Sequence, residues 1–386
     1  MAEGLTVMAV GDIFFGLQEY PPRPGLVPVS KDRTGLYTWF DKVSPVLHLG
    51  DFTLGNLEGQ ICEPLPDLEG KAIWGNIIRM PPEAADILKS TGFNALSIAN
   101  NHTMDLGAEG LFQTLDNLDR VGIAHSGGGR NIQEARKPAI LERKGVRLAL
   151  LSYSSVFVPG TFPAGRDKPG IATVAVKTSY EIPDRLSYSP GLQPRIITTP
   201  SQKDVQQMTE DVRQAKTQAD VVVVSCHWGF TKHANSGASG IPVEDSPLFV
   251  LNYQEDVGHA AIDAGADLIF GHHTFWLQGM EVYKGKLICY SLGRLSAPYK
   301  YVDPVLGDNS VILKGYIDPD SKQLARITLI PVRIAVESQE PFTVSACEGL
   351  DIIRELERQS KKYGTKFQQE GEEFAIQRMH HEASRK

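Results

Sequence analysis

The chain has little that would mark its surroundings. Its 386 residues include only four cysteines, Cys62, Cys226, Cys289 and Cys347, scattered with no CxxC pair. That spacing argues against a disulfide framework and favours a reducing compartment. Cys226 and Cys289 lie in apolar runs and read as buried thiols. No apolar run is long enough to span a bilayer, and no charged segment followed by an apolar one opens the chain. The expectation is a soluble cytoplasmic protein with no membrane anchor; a trimmed leader would leave the same picture. Basic blocks are missing too, and the formal net charge is −7. A nucleic-acid partner therefore has no electrostatic footing. There are no internal repeats and no low-complexity segment, and the sequence is silent on oligomeric state.

What is present is an alternation of short apolar strands and helices. Leu5–Val10 and Phe52–Leu57 read as buried strands, Pro82–Ser90 as a helix ended by Gly92, and Asn94–Ala99 as a strand. Gly107–Val121 is a helix with Leu111, Leu115 and Leu118 on its apolar face, and Gly122 stops it. The stretch Tyr20–Thr34 is rich in Pro, Gly and charge and reads as loop. Pro138–Ser152 reads as a hairpin around Lys144–Gly145. Ser201–Ala219 is a polar helix, Asp220–Cys226 a strand of four consecutive valines, and Tyr253–Ala264 a helix. Asn309–Ile317 and Leu324–Ala335 suggest long antiparallel strands. The pattern predicts an α/β sheet with covering helices.

Between Val156 and Pro200 periodicity fades while apolar residues persist. This reads as a lid-like insertion, with Phe157, Phe162, Arg166, Tyr180 and Arg185 as candidates to line a pocket. Residues 1–345 are expected to form one domain. Residues 346–386 would add a charged helix, Glu348–Lys361, and a loosely held polar tail from Gly364 that packs on the domain or trails it.

The stretch Asp267–Gly293 organises the rest. It runs from an apolar strand into two adjacent histidines, His272 and His273, then through a hairpin turning at Lys284–Gly285. Asp12, Glu58, Asn101, His102 and His227 also stand at the ends of apolar strands. Singly, each has a plain explanation: Asp12 as a turn residue, Asn101 as a helix cap, His227 as a core histidine beside Trp228. Together they place carboxylate, amide oxygen and imidazole along one edge of a parallel sheet, where ligands bind. That donor set suits a divalent ion of the Zn, Mn, Fe or Ni class.

The ordered motifs GDIFFG (Gly11–Gly16), NLEG (Asn56–Gly59), ANNHTMDLGAEG (Ala99–Gly110), HWGF (His227–Phe230), YQEDVGHAAIDAGADLIFGHH (Tyr253–His273) and EVYKGKLICYSLG (Glu281–Gly293) resemble the CapA, or poly-γ-glutamate capsule, family. That family belongs to the calcineurin-like metallophosphoesterase superfamily. The likeness runs from about residue 5 to residue 365. It implies a four-layer α/β/β/α sandwich of the metallophosphoesterase type. It further implies a bridging Glu58, one metal position completed by Asn101, His227 and His273, and a second served by Asp12. His102, held by Asp105, would be the acid or base.

The chain departs from the pattern at three places. Phe275 stands where relatives carry the second histidine of a His-x-His. Arg294 stands where Asn is common. Phe14 occupies the histidine position of an Asp-x-His, as is general in the family. One firm metal and a weak or absent second are therefore expected. Arg294 would clamp a substrate carboxylate near the vacated position, or else pair with a surface acid.

Three functions follow from the resemblance. The first is a metal-dependent hydrolase, with activated water and His102 as acid or base, acting on an anionic amide or peptide-like substrate such as a γ-glutamyl chain, or on a phosphoester. The second is a peptide epimerase moving an α-proton. The third is a non-catalytic subunit of a capsule polymer synthesis or export system.

Overall fold

A computed structural model describes residues 4–15, 26–28, 33–65, 77–181, 194–230, 250–297, 299–301 and 308–377. Two sheets lie face to face. The larger runs in the order Phe367–Glu370, Glu373–Ile376, Leu324–Ile334, Asn309–Ile317, Leu5–Ile13, Phe52–Leu57, Ala95–Ser97, Ala124–Ser126. The smaller runs Met280–Tyr283, Lys286–Cys289, Leu268–His272, Val221–His227, Val146–Ser154, Ala139–Arg143.

Strand alternation explains the layers. Val7 and Ala9 of the first strand meet Leu148, Val221, Val223 and Phe270 of the smaller sheet in one apolar cluster between the sheets. Their neighbours Met8 and Val10 point the other way, into a cluster with Leu88, Leu111 and Leu115 from the helices Glu83–Thr91 and Gly107–Val121. Val222 and Val224 likewise face Met208 and Val212 of the helix Gln202–Lys216 and Val257 of Asn252–Ala264. Three apolar clusters thus separate four layers, the α/β/β/α sandwich that the resemblance implies. The four consecutive valines are apolar because both faces of their strand are buried. Burying one such side chain contributes about 1.5–3 kcal/mol.

Chain punctuation behaves as read. Gly92 and Gly122 end their helices in the left-handed conformation, and Ser201 caps its helix by accepting from the Asp204 amide. Lys144–Gly145 and Lys284–Gly285 all have positive φ, as the tight turns of the two hairpins require.

Two expectations are corrected. As far as residue 377, where the described residues end, the tail beyond Gly364 is not loose. Phe367–Glu370 and Glu373–Ile376 form a hairpin that joins the larger sheet beside Leu324–Ile334, with Phe374 and Ile376 buried between the sheets. Apolar Phe374, Ala375 and Ile376 stand among polar neighbours, so the segment's low mean hydropathy hides a strand. The helix Leu350–Ser360 buries Ile352, Ile353 and Leu356 in the same cluster.

The insertion is also more structured than a loop. Gly170–Ile171 pairs with Gly128–Gly129, and Val176–Glu181 pairs with Arg195–Pro200. Phe162 is a core residue, Arg166 and Tyr180 are not buried, and Phe157 packs at the margin of the helix-side cluster. Arg185 lies outside the described residues, as does most of Tyr20–Thr34 apart from the strand Leu26–Pro28 and the start of a short helix at Arg33. Among the described residues no helix is long and apolar enough to cross a membrane.

Candidate metal centre

Both sheets deliver their strand ends to one seam. On the smaller sheet, Val146–Ser154, Val221–His227 and Leu268–His272 run in parallel without a register break. Their alternation therefore carries through to the end. Ser225 and His227 continue the inward row of Val221 and Val223, and His272 continues that of Leu268 and Phe270.

The larger sheet reaches the seam through irregularities. Ala9 pairs with Leu54 but Asp12 pairs with Asn56, so the first strand carries an extra residue that turns Asp12 onto the inward face. Glu58 follows the next strand and is set by its amide donating to the Ile13 carbonyl, at 3.0 Å, before Gly59 at φ 113. Asn101 and His102 sit on a turn whose frame is Asn100. Its side-chain oxygen accepts from the His102 amide at 3.0 Å, and its Nδ2 donates to the Leu57 carbonyl at 2.7 Å.

Two glycines allow this closeness. A Cβ on Gly11 would lie 1.9 Å from the Gly293 carbonyl oxygen, and one on Gly271 would lie 2.1 Å from that of Tyr290. Gly11 of GDIFFG and Gly271 of GHH are thus fixed by backbone approach to the last motif. The Trp228 indole locks the same junction, donating to the Tyr290 carbonyl at 2.7 Å.

Apart from His273, which is half-buried, the cluster is buried. Asp12 accepts from Asn56 Nδ2 at 2.8 Å and from the His273 amide at 2.9 Å. His227 Nε2 is 2.5 Å from Asn101 Oδ1, and its Nδ1 is 2.8 Å from His272 Nδ1. His272 Nε2 lies 2.7 Å from Ser225 Oγ. His102 Nδ1 is 2.7 Å from Asp105 Oδ2, which also accepts from the Ile78 amide at 2.8 Å, and His102 Nε2 is 3.9 Å from Glu58 Oε1.

Burial pushes the Asp12 carboxyl up to about 7. The Glu58 carboxyl is driven well above the usual range, first by burial and then by the charges of Asp12 and Asp105. His227 is held well below the usual imidazole range, by burial and then by His273, His272 and His102; burial and His273 do the same to His272.

These residues fit a divalent ion. Glu58, His227 and His273 present ligand atoms within 4.8 Å of one another, and Glu58 Oε2 is buried with no hydrogen-bond partner among the described residues. Such an orphaned carboxylate oxygen is costly unless a cation takes it. His227 is kept neutral, as a ligating imidazole must be.

Every residue proposed from the sequence for the first metal position meets here: Glu58, Asn101, His227 and His273. The His102–Asp105 pair stands beside them. Asp12 is grouped with His227 and His272. Phe14 and Phe275, at two of the three departure positions, touch each other with ring centroids 6.0 Å apart. Arg294 pairs in register with Asp12 through the backbone, and its buried guanidinium donates to part-exposed Asp308 at 3.4 Å. Sequence reasoning passes over Asn56, Asn100 and Ser225, and it leaves His272 out of the ligand set. Asn56 could have been found as the polar residue on the inward row of Phe52 and Leu54. A surface cavity of about 430 Å³ beside Arg136 and Asp211 shares no residue with this cluster.

The family model and the sequence relatives agree on kinship. The model of the family described as bacterial capsule synthesis protein PGA_cap matches residues 6–298. Capsule biosynthesis protein CapA of Bacillus anthracis is 27% identical over 360 residues, covering 93% of this chain and 74% of that protein. PGA biosynthesis protein CapA of Bacillus subtilis is 25% identical over 358 residues, covering 92% and 78%. A Mycobacterium tuberculosis protein named probable polyglutamine synthesis accessory protein is 25% identical over 393 residues, covering 93% and 92%. Among solved structures, a hypothetical protein from Thermus thermophilus aligns with TM-score 0.41 at 11% identity, covering 88% of this chain and 99% of that one. Purple acid phosphatase PPD1 from yellow lupin seeds aligns with TM-score 0.35 at 10% identity, covering 89% and 54%. With its family model spanning well over half of its length, the chain belongs to the bacterial capsule synthesis protein PGA_cap family.

Proposed function

We propose that the chain is a metal-dependent hydrolase of an anionic, amide-linked substrate of the γ-glutamyl kind. Glu58, Asn101, His227 and His273 would hold one divalent ion. The observation that carries this reading is the buried Glu58 Oε2, unpartnered among the described residues, beside a His102–Asp105 pair. When bound, the metal supplies Lewis-acid polarisation of a carbonyl and activation of water. Asp105 fixes the His102 ring through Nδ1, which leaves Nε2 on the Glu58 side to give or take a proton at the reacting bond. Burial of the cluster excludes bulk water from that exchange. The names of the relatives, which print capsule, PGA and polyglutamine synthesis, support the substrate class.

Phe14 and Phe275 in contact support a single metal, since two rings occupy the positions where a second set of imidazoles would stand. A one-metal centre also suits a second reading, epimerisation, in which His102 moves an α-proton beside a polarised carbonyl.

The test is zinc or manganese content of the purified chain together with release of amine from γ-glutamyl oligomers. One metal per chain and hydrolysis lost about 100-fold or more in His102→Ala support the proposal. Deuterium uptake at α-carbon without hydrolysis favours the epimerase. Bound metal with neither activity would turn the assignment to an accessory subunit.

A further inference from the structure

Resting on that metal reading and deepening it, we propose that His272, with Ser225, is a positioning residue that selects the nitrogen by which His227 meets the metal, and that loading the site reverses the protons along this pair. Four groups stand in line across the seam: Ser225 Oγ, His272, His227 and Asn101 Oδ1, with separations of 2.7, 2.8 and 2.5 Å. Ser225, His272 and His227 are wholly buried. Each ring is then neutral and carries one N–H, while an amide oxygen only accepts.

Without a cation, the contact with Asn101 requires the His227 proton on Nε2. His227 Nδ1 is then bare and accepts from His272 Nδ1–H, and His272 Nε2 accepts from the Ser225 hydroxyl. A metal held by Glu58, Asn101, His227 and His273 needs a lone pair on His227 Nε2 instead. The His227 proton must then sit on Nδ1 and be donated to His272 Nδ1. His272 must carry its own on Nε2 and donate it to Ser225 Oγ.

The change balances. Each ring moves its single proton from one nitrogen to the other, His227 from Nε2 to Nδ1 and His272 from Nδ1 to Nε2. Ser225 keeps its hydroxyl proton and turns from donor to acceptor, so no proton enters or leaves the group. No charge is created, so a buried pair can make the exchange at little electrostatic cost. A non-ligating partner that fixes a ligand's tautomer typically controls metal affinity by about 10–100-fold.

The experiment uses the full chain with nitrogen-15-labelled histidine. Imidazole nitrogen shifts identify the tautomers, metal-free and during titration with zinc, and competition with a chromophoric chelator gives affinity. We expect His227 to bear its proton on Nε2 before zinc and on Nδ1 after, with His272 reversing in step. Zinc binding should weaken about 10–100-fold in His272→Phe. A smaller loss is expected in Ser225→Ala, restored in Ser225→Thr. The proposal is overturned if His227 already carries its proton on Nδ1 without zinc, if His272 does not reverse, or if both variants bind zinc as wild type does. It is also overturned if wild type binds two zinc ions and His272→Phe binds one, since His272 would then be a ligand. Wild type that takes up no zinc overturns the metal reading, and this inference with it. Equal binding by wild type and variants overturns this inference alone. Should His272→Phe fail to fold, the wild-type spectra and the two Ser225 variants decide the matter.

Discussion

The two sheets build their halves of the seam by different means. The smaller sheet brings Ser225, His227 and His272 to the site by regular alternation, with parallel register unbroken from Leu148 to Ser154 against Val221 to His227. The larger sheet brings Asp12, Glu58, Asn101 and His102 by a bulge, a left-handed glycine and a turn organised by Asn100. One half is imidazole, on regular strands except for His273, which follows its strand at φ 95, and the other is oxygen ligands on shaped backbone. Regular strands fix where a ligand stands, while irregular ones are needed to turn a carboxylate off its natural face.

The largest test of this contrast removes one metal ligand from each side. Glu58→Gln and His273→Ala should each weaken metal affinity at least about 100-fold, read by chelator competition. Asp12→Asn should change it by less than about 10-fold if the one-metal reading holds. Equal damage from Asp12→Asn would mean that Asp12 ligates the same ion.

Next in size are the backbone approaches. Gly11→Ala and Gly271→Ala each drive a methyl into a carbonyl oxygen, at 1.9 and 2.1 Å, one on each sheet. Both should cost about 3 kcal/mol in denaturant unfolding, at the upper end of overpacking. If Gly11→Ala is much the milder, the bulged half is the more pliable.

A pH series sharpens the comparison further. Asp12 and Glu58 have folded-state pKa values above their unfolded ones, so the folded metal-free protein binds more protons in between. Their contribution to stability therefore falls as pH rises from about 4 towards about 7. A cation held by the Glu58 carboxylate removes the Glu58 share of this penalty. The rise in melting temperature on adding zinc should be larger at about pH 7.5 than at about pH 5.5, measured by calorimetry. An increment that shrinks with rising pH would detach the Glu58 carboxylate from the metal.

The smallest effect belongs to Asn56→Ala. It removes a donor to Asp12 and an acceptor for Asn100. A loss of about 1–2 kcal/mol is expected in urea unfolding, with metal still bound.

The same contrast accounts for what can be read from the sequence. The valine strand, the two hairpins, the glycine-ended helices and the ligand types at strand ends follow from periodicity and turn chemistry. Asp12 is legible as a strand-end residue, yet its inward direction depends on an extra residue visible only once Ala9 and Leu54 are paired. Phe14 and Phe275 are each readable as departures, but their contact joins residues far apart in the chain. His272 is overshadowed in the sequence by its neighbour, which matches the family motif, and only the register with His227 shows what it touches. The C-terminal strands escape notice because they are only four residues each and the outer one, Phe367–Glu370, is mostly polar.

The metal's ligands come from opposite sheets, which has a kinetic consequence. Glu58 and Asn101 belong to one lattice and His227 and His273 to the other, so no early local structure holds a complete set. The site comes into being only when the two faces have docked. An ion bound there acts as a rivet closed last. It should leave the rate of folding unchanged and slow the rate of unfolding, so that occupancy is felt chiefly as the lifetime of the native chain.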